Sequence, residues 1–282
     1  MAYNSAASDL QKAAAVREVA SAEPGLQLLY TTPESLLKPA LRDALLEAHA
    51  SGTLCAFAID EAHCISEWGH DFRPAYLQLS TLKDDFPGVP IAAVTASATP
   101  RVQASIVDAL RLARPAVITA SFNRPNIRLG VRHKALLGAR GGDDDVLQDL
   151  LAFIAARPGQ CGIVYARLRA TCDWLVSALS GCDLDVAKYH AGMDQDQRRK
   201  VLRDWSDGSV DIVVATIAFG MGIDRADVRW VVHWNMPSSV EGYYQEAGRA
   251  GRDGQPSESV VRSRDQPGWG LGCPRAQHVS HR

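Results

Sequence analysis

The sequence contains no long hydrophobic run and no recognisable targeting segment. Its longest uncharged apolar stretch, residues 212–223, is interrupted by Thr216 and Gly220 and is too short to span a bilayer. The first residues lack the basic region and the apolar core of a secretory signal peptide. We therefore expect an intracellular protein that does not act at a membrane.

The six cysteines include no Cys-x-x-Cys pair. Pairs of that spacing are typical of structural zinc sites and of thiol redox motifs. Isolated cysteines in a chain of this size fit reduced thiols of the cytosol or nucleus better than a disulfide framework. We therefore predict no zinc site and no disulfide.

An excess of positive charge is also absent. The 282 residues carry 30 lysines and arginines against 32 aspartates and glutamates, a net charge of −2. This balance excludes a globally basic nucleic-acid binder, although it leaves room for a local basic groove. No basic cluster of the kind that directs nuclear import is visible either.

The sequence lacks the phosphate-cradling motif Gly-x-x-x-x-Gly-Lys-Ser/Thr. In nucleotide hydrolases the backbone amides and the lysine of this loop hold the β- and γ-phosphates. None of the six lysines follows a glycine. This chain therefore cannot supply that loop.

Short apolar runs alternate with amphipathic helical patterns along most of the chain. This rhythm predicts an α/β fold with parallel sheets and helices on both faces. Strands are predicted at 26–30, 54–59, 90–94, 162–165, 185–189, 211–215 and 228–233. Helices are predicted at 34–50, 102–112, 146–154, 171–179, 195–205 and from residue 240.

The pattern also predicts a division into two α/β lobes. The first covers residues 1–128 and the second residues 146–262. Between them, residues 129–145 are rich in glycine and aspartate and are predicted to form a linker. Residues 263–282 show no periodicity and are predicted to be a disordered tail.

An apolar strand is predicted to end at the acidic pair Asp60-Glu61, followed by His63. At the carboxyl edge of a parallel sheet such residues face the ligand crevice. There the first carboxylate can hold a hydrated Mg²⁺ and the second can polarise a water that attacks a γ-phosphate. The alternative is an acidic loop after a core strand.

Aromatic and basic side chains crowd into the segment that follows the acidic pair. Trp68, His70, Phe72 and Arg73 lie within six residues. Aromatic rings can stack on bases while arginine neutralises phosphate, which indicates contact with single-stranded nucleic acid. The alternative is a loop whose aromatic side chains pack under the sheet.

Two further strand ends carry small polar residues. Residues 95–99 are hydroxyl-rich and fit either a helix N-terminus or a segment that couples the two lobes. Residues 215–224 contain Gly220 and Gly222, which would let the backbone approach a phosphate or simply form a tight turn.

Near residue 250 two arginines three residues apart, Arg249 and Arg252, each follow a glycine. A compact pair of this kind can stabilise developing charge on a transferring phosphoryl group. Arginine suits that role because its guanidinium is planar and bidentate. The alternative is a solvated basic turn that ends a helix.

Taken in order, these motifs resemble the RecQ family of superfamily 2 DNA helicases, and within it the eukaryotic Bloom-type enzymes. The likeness covers about residues 3–261. It includes the acidic motif II, an aromatic-rich loop at 66–76 with Glu67 where glutamine is usual, and motif III at 95–99 with Ser97 where threonine is usual. The other matching segments are 100–103, 121–124, 165–170, 189–192, 211–224 and 245–252.

The resemblance implies two RecA-like lobes and ATP- and Mg²⁺-dependent unwinding of DNA with 3′-to-5′ polarity. A nucleotide would lie between acidic groups of one lobe and guanidinium groups of the other. The implied catalytic residues are Asp60, Glu61, Arg249 and Arg252, with Arg252 as the arginine finger. The implied nucleotide site adds His63, Gly222, Asp224 and Gln245, and Asp60 would hold Mg²⁺ through water. The implied DNA-binding residues are Trp68, His70, Phe72, Arg73, Thr216 and Gly220.

The sequence departs from the family at both ends. The phosphate loop and the adenine-reading glutamine motif are missing, so we expect an incomplete first lobe and negligible intrinsic ATPase. The segment after residue 262 carries a single cysteine instead of the family's four-cysteine zinc module.

Three interpretations therefore stay open. The chain is a truncated helicase core, or a non-enzymatic module that binds single-stranded or forked DNA or a partner, or an incomplete product that folds only in its second lobe. A full-length helicase or repair proteins are the expected partners. A nuclear location follows from the Bloom-type resemblance alone.

Overall fold

A computed structural model describes residues 1–5, 7–68, 71–134, 142–182, 184–220 and 223–263. The chain forms two compact units, the first from Met1 to Ala120 and the second from Ser121 onward.

The first unit contains two separate pairs of parallel strands among its described residues. One pair joins β1 to β2 and the other joins β3 to β4. Their bounds are Ala2–Tyr3 (β1), Tyr30–Thr31 (β2), Phe57–Ile59 (β3) and Ile91–Ala93 (β4). The helices are α1 (Asp9–Val19), α2 (Pro33–Leu36), α3 (Pro39–Ala50), α4 (Pro74–Leu77), α5 (Leu82–Asp85) and α6 (Pro100–Ala109), with 3₁₀ turns at Ala62–Ile65 and Gln78–Thr81.

Helix α3 supplies much of the core of the first unit. Its buried face consists of Leu41, Ala44, Leu45 and Ala48, spaced three and four residues apart as one helical stripe. The predicted helix over 34–50 is in fact two helices, because Pro39 lacks the amide hydrogen needed to continue α2 and instead opens α3.

The second unit is built on one six-stranded sheet in which every strand pair is parallel. The strand order is β5-β10-β9-β6-β8-β7. The bounds are Ile127–His133 (β5), Gly162–Tyr165 (β6), Val186–Tyr189 (β7), Ile212–Ala215 (β8), Trp230–His233 (β9) and Ser257–Ser263 (β10). The helices are α7 (Asp143–Ala155), α8 (Arg169–Ser180), α9 (Gln195–Ser206) and α10 (Val240–Ala247).

Hydrophobic clusters cover both faces of this sheet. On one face α7 and α8 pack against side chains that include Val164, Trp230 and Val232. On the other face Trp205 of α9 packs with Ile163 and neighbouring residues of β8 and β9. The central strands are therefore buried from both sides, as expected where helices flank a parallel sheet.

The predicted α/β class with parallel sheets is confirmed, and most of the predicted elements are present. The predicted linker over 129–145 is wrong at both ends, because residues 129–133 belong to edge strand β5, which pairs with β10, and residues 143–145 begin α7. In β5 the alternation of apolar residues with arginines and a glycine is itself typical of a strand, but the glycine- and aspartate-rich residues that follow it favoured a linker. Most of the predicted tail, and the glycine-rich part of the linker at 135–141, lie outside the described residues.

Candidate functional site

The acidic pair lies where two parallel strands of the first unit end. The amide of Val94 donates to the carbonyl of Ile59 at 2.8 Å, and the amide of Ala62 donates to the carbonyl of Val94 at 2.9 Å. These bonds continue the β3–β4 pairing past the strands. As a result, the loop that carries Asp60 and Glu61 lies directly beside the loop that starts at Thr95.

The backbone at Glu61 is left-handed, with φ of 51°. Non-glycine residues rarely adopt this conformation, and strain of this kind clusters at functional sites. The carboxylate of Asp60 accepts a hydrogen bond from the Glu61 amide at 2.9 Å, which stabilises the turn locally. Asp60 itself is exposed and Glu61 is half-buried.

His63 joins the acidic loop to the hydroxyl-rich loop. The ring is 2% exposed, and its Nδ1 lies 2.9 Å from Oγ1 of Thr95 and 3.3 Å from Oε2 of Glu61. Thr95 donates its own hydroxyl to the carbonyl of Ser97 at 3.1 Å. Thr95 therefore joins His63 to the backbone of the hydroxyl-rich loop.

The aromatic-rich loop presents one ring to solvent and keeps its arginine paired. Trp68 is 60% exposed, and the guanidinium carbon of Arg101 lies 3.2 Å from the centre of its ring. Arg73 donates to Asp71 from Nε at 3.1 Å and from Nη2 at 2.6 Å, which raises the pKa of Arg73. The hydroxyl of Tyr76 reaches the carbonyl of Asp60 at 3.3 Å.

In the second unit, helix α10 leads into the arginine turn. Ser239 caps the start of the helix by accepting from the Gly242 amide at 2.9 Å. After the helix ends, Arg252 donates to Asp224 at 2.9 Å. The Nε of Arg249 is buried and has no hydrogen-bond acceptor among the described residues.

Gly220 lies close to the side chain of Arg249. A Cβ at position 220 would lie 3.5 Å from Nη2 of Arg249 and only 3.0 Å from the carbonyl oxygen of Ile217. The turn after β8 therefore passes close to the guanidinium, and a side chain at Gly220 would crowd the carbonyl of Ile217.

A buried polar pair, His233 and Glu246, joins helix α10 to strand β9. His233 at the end of β9 is 1% exposed, and its Nε2 lies 2.9 Å from Oε2 of Glu246 on α10. The ring stacks on Tyr165, whose hydroxyl donates to the carbonyl of Phe219 at 2.7 Å. Burial raises the pKa of Tyr165, so this hydroxyl stays a donor.

The structure groups the predicted site residues within each unit. Asp60, Glu61, His63, Trp68, Phe72 and Arg73 belong to the first unit, and Thr216, Gly220, Asp224, Gln245, Arg249 and Arg252 belong to the second. His70 and Gly222 lie outside the described residues. Sequence reasoning gave no role to Thr95 as the partner of His63, nor to the pairing of Glu246, within the matching segment 245–252, with His233, which lies in none of the motifs.

The described residues contain no group of three or more histidine, cysteine, aspartate or glutamate side chains arranged to hold a metal ion. Nor do they form a helix long and apolar enough to cross a membrane.

Comparison with known proteins indicates the family to which this chain belongs. A family model described as "DEAD/DEAH box helicase" matches residues 2–106 of this chain. A second model, described as "Helicase conserved C-terminal domain", matches residues 144–254. The RecQ-like DNA helicase blm-1 of Caenorhabditis elegans is 42% identical over 86% of this chain and 24% of its own length. The ATP-dependent DNA helicase RecQ of Haemophilus influenzae is 42% identical over 84% of this chain and 36% of its own length.

The chain belongs to the RecQ family of superfamily 2 helicases. A solved structure of Mycobacterium smegmatis helicase Lhr bound to ssDNA and AMP-PNP shares the fold, with a TM-score of 0.66 at 22% identity over 93% of this chain and 34% of that one. The two units of this RecQ-family chain are thus RecA-like. The chain spans only about a quarter to a third of the length of these two curated relatives.

Proposed function

We propose that this chain is the core region of a RecQ-type, ATP-dependent 3′-to-5′ DNA helicase. The observation that carries the proposal is the polar connection from Glu61 through His63 to Thr95. It links the acidic loop, where water would be activated, to the loop after the neighbouring strand. A core strand followed by an ordinary acidic loop has no need of a strained glutamate held beside a buried histidine.

In this proposal the acidic loop acts on the γ-phosphate. Asp60 would hold Mg²⁺ through water, which one exposed carboxylate can do because Mg²⁺ keeps most of its hydration shell. The ion, when bound with ATP, supplies charge neutralisation at the phosphates. Glu61 would orient and polarise the attacking water, and its Oε2 lies 3.3 Å from Nδ1 of the buried His63.

The arginine turn of the second unit would stabilise the negative charge of the reacting phosphate. Arg252 is held by Asp224, and Nη2 of Arg249 lies beside the turn after β8 that contains Gly220. His63, Asp224, Gln245 and Gly222 would complete the nucleotide site. Because the 282 residues contain no Gly-Lys phosphate loop, we propose that they have negligible ATPase by themselves.

DNA would bind at the aromatic-rich loop. Trp68 offers an exposed ring for a base, and Arg73 and Phe72 lie beside it in sequence. In the second unit Thr216 and Gly220 follow β8 at the carboxyl edge of the sheet, where ligands of parallel sheets bind. A nuclear location and a role in DNA repair and recombination, as in Bloom-type relatives, form part of the proposal.

The direct test measures binding of labelled single-stranded DNA by fluorescence anisotropy, together with ATP turnover. Trp68→Ala should weaken binding about tenfold, because stacking of one base contributes about 1–3 kcal/mol. Binding should also fall with rising salt. Trp174→Ala is the matched control, since Trp174 is a partly exposed tryptophan of the second unit.

Equal weakening by Trp174→Ala, or no binding at all, would contradict the proposed DNA site. Substantial ATP turnover that disappears in Glu61→Gln would support the role of Glu61 and contradict the proposed lack of intrinsic ATPase.

A second candidate function is a non-enzymatic module that binds DNA or a partner, such as a full-length helicase. The exposure of Trp68 favours it as much as it favours a motor. DNA binding that survives Glu61→Gln and falls in Trp68→Ala fits both candidates. ATP turnover by a longer chain that also carries a phosphate loop separates them, because only the motor hydrolyses ATP there.

A further inference from the structure

The segment 122–126 overlaps residues 121–124, which resemble the family in sequence, but it has no role in the candidate site. It lies at the start of the second unit, two residues after the first unit ends at Ala120. Phe122 packs edge-on against Tyr244 of α10, with ring centres 5.6 Å apart. The hydroxyl of Tyr244 donates to the carbonyl of Phe122 at 3.2 Å. The chain therefore enters the second unit along the helix that leads to the arginine turn.

Arg124 holds three carbonyl groups of that turn at once. Its Nη1 donates to Gly248 at 3.3 Å, and its Nη2 donates to Ala250 at 3.2 Å and to Gly251 at 2.8 Å. These carbonyls belong to residues on either side of Arg249, and the last of them immediately precedes Arg252. A planar guanidinium with five donors can span such a set, whereas a lysine ammonium cannot match its geometry.

The turn depends on these bonds because it lies beyond the end of a helix. The last carbonyls of a helix have no partner within the helix and must find donors elsewhere. Gly251 is left-handed, with φ of 55°, and a Cβ there would lie 2.5 Å from Nδ2 of Asn126. Asn126 in turn donates to Gly251 at 2.8 Å and to Gln255 at 3.1 Å. The side chains of Arg124 and Asn126 thus hold the backbone that carries both Arg249 and Arg252.

We propose that Arg124 is a positioning residue for Arg249 and Arg252. This role rests on the proposed function, in which those two arginines bind the γ-phosphate. Arg124 does not touch the phosphate; it sets the backbone from which both guanidinium groups extend. The segment that directly follows the first unit in sequence therefore carries the side chain that sets the orientation of both arginines.

The experiment is nuclear magnetic resonance of the arginine side chains in the full 282-residue chain. Arg249→Lys and Arg252→Lys assign the two Nε–H signals, and ¹⁵N relaxation reports how firmly each side chain is held. Arg124→Ala should lower the order of both Arg249 and Arg252. Arg124→Lys should not restore it, because an ammonium cannot bridge the three carbonyls.

Arg132→Ala is the matched control. Arg132 also belongs to the second unit, but it lies near the far end of β5 and donates to Asp149 on α7. It should lower thermal stability but leave the Arg249 and Arg252 signals unchanged. Unchanged order in Arg124→Ala and Arg124→Lys, or equal loss of order in Arg132→Ala, would overturn the proposal.

Titration with MgATP separates this inference from the function on which it rests. In the wild-type chain the Arg249 and Arg252 signals should shift with millimolar MgATP. Arg124→Ala should raise the apparent dissociation constant about fivefold, the change expected if the displaced arginines lose one hydrogen bond to the phosphate. A wild-type chain that shows no shift contradicts the nucleotide site, even where the loss of order in Arg124→Ala supports Arg124 as the residue that positions the turn.

Discussion

The two units differ in how their strands are buried, although both are parallel α/β structures. In the second unit every residue of β6, β8 and β9 is buried. In the first unit each of the four short strands has at least one exposed or half-buried residue, and large side chains such as Tyr30 and Val94 are exposed. A full sheet with helices on both faces buries its strands, whereas isolated strand pairs leave theirs partly open to solvent.

The difference indicates where each unit gets its stability. The second unit buries apolar surface in two clusters across a continuous sheet. The first unit relies on helix α3 and the 3₁₀ turn after the acidic pair, which pack together in one cluster. We therefore expect the second unit to have the larger free energy of unfolding. Paired substitutions in the two units can test this difference.

The largest effect is expected at a buried ion pair of the second unit. Asp149 on α7 accepts from Arg262 at 3.0 and 2.6 Å, and also from Arg132. Arg262 is fully buried, and this desolvation lowers its pKa. Asp149→Ala should destabilise the unit by about 3–5 kcal/mol, because it leaves a buried guanidinium without a counter-charge. Urea denaturation measures the change.

Asp85→Ala is the matched change in the first unit. Asp85 accepts a similar two-point contact from Arg42, whose side chain is 43% exposed. Water and salt screen that pair, so its loss should destabilise the first unit far less than Asp149→Ala destabilises the second. Similar losses in the two variants would show that burial does not separate the two ion pairs.

The second prediction compares one substitution at two fully buried helix positions. Leu150 of α7 and Leu41 of α3 are both 0% exposed. Leu150→Ala should cost about 3–5 kcal/mol, because a rigid sheet leaves the cavity open. Leu41→Ala should cost about 2 kcal/mol less, because the partly open first unit can relax around it. Hydrogen exchange read separately for β6 and β3 assigns each loss to its unit.

Absence of hydrogen-exchange protection in the first unit of the wild-type chain would indicate that only the second unit folds. Equal costs of the two substitutions would contradict the difference in rigidity.

The same contrast explains how far the fold could be predicted from the sequence. Continuous apolar runs such as 211–215 predict buried strands directly, and four such runs of the second unit are strands in the structure. Edge strand β5 was missed because the glycine- and aspartate-rich residues that follow it favoured a linker, although Ile127, Leu129 and Val131 alternate as in a strand. In the first unit the predicted strand over 26–30 shrinks to Tyr30–Thr31, because it pairs only with the two residues of β1.

The candidate site was predictable where a motif is contiguous in sequence. Asp60, Glu61 and His63 form one such motif, and the Arg249–Arg252 turn forms another. Contacts that close over long separations were not predictable. Arg124 lies more than 120 residues from the carbonyls it holds, and nothing in local spacing indicates that β5 brings the two together. His233 and Glu246 meet only because β9 and α10 pack.

The third prediction uses cysteines that occupy comparable buried positions. Burial raises the pKa of the Cys64 thiol in the first unit to about 11 and that of Cys161 in the second to about 12. At pH 8 both are protonated when folded, so alkylation requires opening of the structure. Cys64 should react at least about tenfold faster than Cys161, which corresponds to about 1.4 kcal/mol less opening free energy.

Exposed Cys55 and Cys182 react first and calibrate the reagent. The pH dependence has a definite sign. Above pH 9 an unfolded thiol ionises while the folded one does not, so the stability of each unit should fall as pH rises toward 11 or 12. Faster labelling of Cys161 than of Cys64 would reverse the proposed order of stability.

The smallest effect is expected where the first unit meets solvent. The guanidinium of Arg101 at the start of α6 covers one face of Trp68 at 3.2 Å. Such a contact at an exposed ring contributes about 0.5–1 kcal/mol. A double-mutant cycle of Arg101→Ala and Trp68→Ala, followed by urea denaturation, should return a coupling of that size. Because a base stacking on Trp68 would compete with Arg101 for this face, Arg101→Ala should also leave single-strand binding intact or strengthen it. A clear loss of binding in Arg101→Ala would instead make Arg101 a direct phosphate contact.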